Sequence, residues 1–142
     1  MAENSELTMI LSDANALNLF SGLSFEGEIT VDLGTFLVNL KLLRSPKSEN
    51  LVITFHGALT QNSKPYPYFE AWGLSKKLDV NVLAIADPSL TCSTELKSCW
   101  YLGHEGGETQ KILLKCIKLA AEALGLKRVV LLGGSEGVFS AL

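Results

Sequence analysis

RVVLLGGSEGVFSAL, residues 128–142, is the stretch on which the fold of this chain turns. It opens with a short, near-continuous apolar run rich in β-branched and aliphatic residues, the pattern of a parallel strand covered on both faces. Helical character resumes at Gly137. Between the two, Gly133, Ser135 and Gly137 fit G-x-S-x-G directly after a strand and before a helix. A serine in such a strand-to-helix turn is held in a strained conformation, and glycines two residues to either side let neighbouring backbone approach without Cβ clashes. Its hydroxyl then projects into a crevice at a helix N-terminus, whose N–H groups favour developing negative charge. Ser135 is therefore the candidate nucleophile.

Working outward, two more runs of the same kind stand upstream, LVITF at 51–55 and NVLAIA at 81–86. Between them, YPYFEAWGLSKKLD predicts a short helix with Phe69, Trp72 and Leu78 on one face. In GETQKILLKCIKLAAEALGL, Ile112, Leu113, Cys116, Leu119, Ala120 and Ala123 recur at spacings of three and four, and Gly125–Leu126 supplies a left-handed stop. Earlier still, EITVDLGTFLVNLKLL at 28–43 predicts two antiparallel strands joined by a turn near Asp32 to Thr35, followed by the polar loop RSPKSEN. Strands alternating with helices require right-handed crossovers and an α/β fold with a mostly parallel, doubly wound sheet. In such a sheet ligands bind outside the carboxyl ends of the strands, here the loops after Phe55, Ala86 and Leu132.

Composition narrows the function. The chain has 142 residues, 47% hydrophobic and 19% charged, the profile of one soluble globular unit. Twelve basic against fifteen acidic residues give a net charge of −3, which offers no footprint for nucleic acid. The opening MAENSELTMILSDANALNLF is acidic where a secretory leader is basic, and no apolar run approaches the roughly 20 residues that span a bilayer. Cys92, Cys99 and Cys116 lack the paired spacings of a zinc site and read as reduced thiols in the cytoplasm, with a Cys92–Cys99 disulfide open to an oxidising compartment. No metal or cofactor motif is visible.

The loop after the first central strand reads TFHGAL, and the loop after the second runs for about 20 residues from Asp87 to Gly106, a length typical of active-site or lid loops. In the second, Trp100 and Tyr101 either wall an acyl or sugar group or pin the loop to the sheet. His104 and Glu105 read as a solvated, glycine-flanked turn.

Together LVITFHGAL, DPSL with WYLG, and VVLLGGSEGVFSAL resemble the α/β-hydrolase superfamily, from about Glu28 to the chain end. Within it the text is similar to a poorly characterised bacterial branch associated with surface-glycan and accessory-secretion loci. The resemblance implies a three-layer α/β/α sandwich of which these residues form the first five strands, truncated after the nucleophile elbow. It implies one partial domain over 1–142, with 1–27 an extension of unclear structure and 28–142 the hydrolase core. Ser135 would attack an ester or related acyl bond of a small-molecule or glycan-linked substrate, with the Ala58 and Glu136 N–H groups as oxyanion hole and no cofactor. His56 would brace its loop, with a lesser role as a substitute base. Superfamily chain order places the acid and the histidine after the nucleophile, so the resemblance implies an inactive fragment lacking both.

Other readings use the same residues. Acyl transfer to an acceptor other than water would employ the same serine and oxyanion donors. A phosphate-cradling turn at GGSEG lacks G-x-G-x-x-G and the downstream acid of a dinucleotide site. A non-catalytic remnant would expose the strand at 128–133 as an open edge. The oligomeric state is not legible.

Overall fold

The computed structural model describes residues 6–10, 27–32, 37–60, 65–75, 77–103, 108–135 and 137–141. Its strands are β1 (Glu6–Ile10), β2 (Gly27–Asp32), β3 (Leu37–Leu43), β4 (Asn50–Phe55), β5 (Asn81–Ile85) and β6 (Arg128–Gly133). Helices are α1 (Trp72–Ser75), α2 (Thr109–Ala123) and α3 (Gly137–Ala141), with a 3₁₀ turn at Pro88–Cys92. The strands form one mixed sheet in the order β1-β2-β3-β5-β4-β6. β3 is antiparallel to both β2 and β5, while the remaining pairs are parallel, so β3 alone runs against the other five.

The registers sort side chains onto two unlike faces. Ile29 and Val31 pair with Leu40 and Val38, Leu40 and Leu42 with Ile85 and Leu83, and these with Phe55 and Ile53, all buried in one apolar cluster. Leu113 and Ala120 of α2 join that cluster, which is why the apolar stripe of this helix recurs at three and four. The left-handed stop forms as the sequence predicts. Gly125 has φ +63°, its N–H donates to Glu122 O, and Leu126 N–H donates back to Ala121 O.

The opposite face is polar near β2 and β3. Lys41 Nζ lies 2.7 Å from Glu28 Oε1 and over the Trp72 and Phe69 rings at 4.9 and 5.7 Å. Thr30 donates to Asn39 Oδ1, and Asn39 Nδ2 donates to the Tyr66 hydroxyl. The helix expected across 66–79 is reduced to the four residues of α1, with Leu78 exposed. Phe69 and Trp72 lie against the Lys41 side chain.

Three further differences bear on the sequence reading. β1 falls in the stretch of unclear structure and adds a parallel edge strand to β2. The turn of the β2–β3 hairpin lies outside the described residues. β6 has the expected strand, but among the described residues only β4 pairs with it, and Val129, Val130, Leu131 and Leu132 are 40–47% exposed.

The direction of travel locates the crevice. From β4 the chain crosses to β5 on one side, and from β5 it returns past β4 to β6 on the other. The carboxyl end of β4, flanked by those of β5 and β6, is where the strand order reverses.

Candidate active site

At that reversal the register sets Phe55 beside both Ile85 and Gly133, so the chain leaves β4, β5 and β6 on one rim at His56, Ala86 and Gly134. Close packing there explains both motif glycines. A Cβ on Gly137 would stand 2.3 Å from Phe55 O and 2.9 Å from His56 O, and one on Gly133 would stand 2.1 Å from Gly137 O. Gly134 meets nothing within 4 Å. The turn is closed by Gly137 N–H to Gly134 O and Val138 N–H to Ser135 O, and Ser135 at its apex has φ +53° with its side chain exposed. A left-handed conformation at a residue with a Cβ costs on the order of 1–3 kcal/mol and persists where surrounding packing imposes it.

The β4 loop is held from beneath by a closed ring of hydrogen bonds. His56 is 3% exposed, and its N–H donates to the Tyr101 hydroxyl at 2.9 Å. That hydroxyl donates onward to Ile85 O at 2.8 Å. Asp87 N–H donates to His56 Nε2 at 2.9 Å, which fixes the ring proton on Nδ1, 2.6 Å from Gly57 O. The ring closes where Tyr101 N–H donates to Asp87 Oδ2, while Oδ1 accepts from Ser89 N–H and caps the 3₁₀ turn. Farther out, Gly103 N–H donates to Ser89 Oγ and Leu59 N–H to Lys97 O. The long loop and the His56–Leu59 segment are thus one hydrogen-bonded body.

These contacts locate the residues singled out by the sequence. Both His56 ring nitrogens are engaged with backbone, so Nε2 has no lone pair left for a serine proton and the substitute-base role fails on geometry. Tyr101 is 2% exposed, packed edge-on to Phe55 at 5.3 Å, and pins the loop; its ring offers no face to a substrate. Trp100 is 47% exposed on the adjoining surface. The Ala58 N–H donates to no acceptor among the described residues, in contrast to that of Leu59. Glu136, the second oxyanion candidate, lies outside the described residues, as do His104 and Glu105. Asp87 is the residue sequence reading undervalued, although Asp-Pro-Ser carries a cap signature: an acceptor at the N-cap with proline in the first turn.

The carboxylate of Asp87, 1% exposed, colours the ionisation of its neighbours. Burial, with Asp87 adding to it, pushes the Tyr66 phenol up to about 12 against the lowering effect of its Asn39 hydrogen bond. Burial likewise drives Tyr101 well above the usual phenol range, and burial, then Asp87, then Cys92 raise Cys99. All three thiols are free. No group of His, Cys, Asp and Glu among the described residues is placed to hold a metal, and no helix among them is long and apolar enough to cross a membrane.

The described strands and helices form an α/β architecture around one mixed sheet. The chain is similar in fold to the Pyrococcus furiosus esterase Pf2001, at 15% identity with TM-score 0.51 in one crystal form; a second crystal form of that esterase gives 17% identity and TM-score 0.49. In both, 99% of this chain is covered but only 49% and 51% of the esterase, so the chain spans about half the length of the structures it matches. No family model matches the chain, and no curated protein does.

Proposed function

We propose that these residues form the nucleophile-bearing part of a serine hydrolase acting on ester or related acyl bonds, in a three-layer, doubly wound α/β frame. The observation that carries the reading is Ser135 at φ +53° between Gly133 and Gly137, two glycines whose hydrogens are replaced only at the expense of backbone clashes. That geometry thrusts a hydroxyl out of a tight strand-to-helix turn at the sheet's strand-order reversal. The Ala58 N–H, without an acceptor among the described residues and on a loop braced by His56, Tyr101 and Asp87, is one oxyanion donor, and Glu136 N–H is the other. A preorganised N–H of this kind lowers the barrier by about 3–4 kcal/mol. A small-molecule or glycan-linked acyl group in a cytoplasmic setting, as in the bacterial branch the sequence resembles, is the substrate class.

With His56 committed to backbone, no described residue serves Ser135 as base, and an unassisted serine hydroxyl is a weak nucleophile. In this reading the acid and base are supplied from outside the described residues. Labelling with a fluorophosphonate probe tests it. The chain alone is expected to stay unlabelled, while a natural relative that continues past the position of Leu142 is labelled at the serine matching Ser135 and loses the label on substitution by alanine. Label on the chain itself that disappears in His56→Ala would refute the assignment.

A further inference from the structure

The two backbone bonds of the His56 ring fix its protonation state. Nδ1 lies 2.6 Å from Gly57 O, which only accepts, so Nδ1 carries the ring proton. Nε2 accepts Asp87 N–H at 2.9 Å, so Nε2 carries a lone pair. Both bonds form together only in the neutral imidazole. A protonated ring has an N–H on each side, and an Nε2–H facing the Asp87 N–H sets donor against donor. At 3% exposure the ring has no water to turn to. The consequence spreads because of where Asp87 sits. The long loop leaves β5 there, and its carboxylate holds Ser89 N–H and Tyr101 N–H, whereas His56 opens the loop that carries Ala58.

We propose that His56 is a proton-sensitive latch: a proton taken from solvent at Nε2 breaks the bond to Asp87 N–H and loosens the His56–Leu59 segment from the long loop. Among the described residues, Tyr68 packs edge-on to the ring at 5.9 Å and Tyr101 lies tilted at 5.5 Å. The Asp87 charge acts on Tyr66 and Tyr101, and that of Glu70 on Tyr101. Phenols carry no charge in acid, which leaves the Asp87 and Glu70 carboxylates as the charges that favour an imidazolium. Both Asp87 oxygens already accept a backbone N–H, which damps that pull. Burial and the two ring bonds oppose it, since each favours the neutral ring. The latch therefore holds at neutral pH and opens in acid. On the serine-hydrolase reading, opening also displaces the Ala58 N–H and weakens the oxyanion hole.

Nitrogen NMR of the 142-residue chain, titrated from about pH 8 to about pH 4, reads the ring directly, since there are only two histidines to assign. At the neutral end His56 should show a protonated Nδ1 and a bare Nε2. In the step where Nε2 gains its proton, Asp87 amide exchange, corrected for its intrinsic rate, should rise at least about tenfold. The Ile53 and Leu83 amides of β4 and β5 should stay protected through that step. His56→Gln puts a side-chain carbonyl near the place of Nε2 and has nothing to protonate, so Asp87 protection should persist into acid. If that variant does not fold, the parent titration decides alone. An Nε2–H tautomer at neutral pH, a ring that never takes up its proton, or a His56 step that leaves Asp87 protected would each overturn the latch. So would Asp87 exposure while His56 is still neutral, equal exposure in His56→Gln, or loss of Ile53 and Leu83 protection in the same step. Ser135 enters none of these readouts, so their failure refutes the latch, whereas failure of fluorophosphonate labelling refutes the serine.

Discussion

Tyr101→Phe removes one oxygen and two hydrogen bonds while keeping the ring in place against Phe55. The lost hydroxyl accepts His56 N–H at 2.9 Å and donates to Ile85 O at 2.8 Å, where Tyr101 and His56 are 2 and 3% exposed and Ile85 is fully buried. Water cannot replace it without opening the core. A buried donor left unsatisfied costs about 1–3 kcal/mol, and a carbonyl with a second lone pair less, so the loss should be about 2–4 kcal/mol. That is a large share of the roughly 5–15 kcal/mol that holds a domain together. Urea unfolding followed by tryptophan fluorescence should show a lower midpoint at unchanged slope. Tyr66→Phe, whose half-buried hydroxyl accepts a single bond from Asn39, should lose no more than about 1.5 kcal/mol. A Tyr101→Phe variant within about 0.5 kcal/mol of the parent would refute the claim that this ring of contacts holds the β4 loop. Alkali provides a second readout. Folding raises the phenol pKa of Tyr66 to about 12 and that of Tyr101 well above its usual value, so the folded state holds protons the unfolded chain releases. Their contribution is complete below about pH 10 and is lost as pH rises toward and past 12, more steeply in the parent than in Tyr101→Phe.

The glycines of the turn should separate cleanly by circular-dichroism melts: Gly133→Ala and Gly137→Ala, at the motif positions, should lose more than about 2 kcal/mol because backbone must move, whereas Gly134→Ala should stay within about 0.5 kcal/mol. Gly125→Ala should lose about 1 kcal/mol in the same assay, since φ +63° is strained for a residue with a Cβ even where space is open. Thiol titration at pH 8 should modify exposed Cys92 first and Cys99 more slowly. Cys116 should react only on unfolding, because burial lifts its thiol to about 11; early modification of Cys116 would contradict its place in the core.

What the sequence determined by itself is what local pattern can encode. The apolar runs at 51–55, 81–86 and 128–133 specify strands, the three-and-four spacing from Ile112 to Ala123 with Gly125 behind it specifies α2 and its end, and G-x-S-x-G specifies a tight turn before α3. Each signal lies within a few turns of chain, where backbone sterics and periodicity act directly. Local pattern was less informative at 66–79: Phe69 and Trp72 read as one face of a short helix, yet the helix is the four residues Trp72–Ser75 and both rings lie against the Lys41 side chain, some thirty residues earlier. Only the tertiary structure could show that His56 spends both ring nitrogens on backbone and that Tyr101 supports the β4 loop from the core. It also revealed that Asp87 joins the two. Those facts depend on which strand ends adjoin on the sheet. The β5-β4-β6 order is set by crossovers spanning tens of residues, and no short stretch of sequence carries that information.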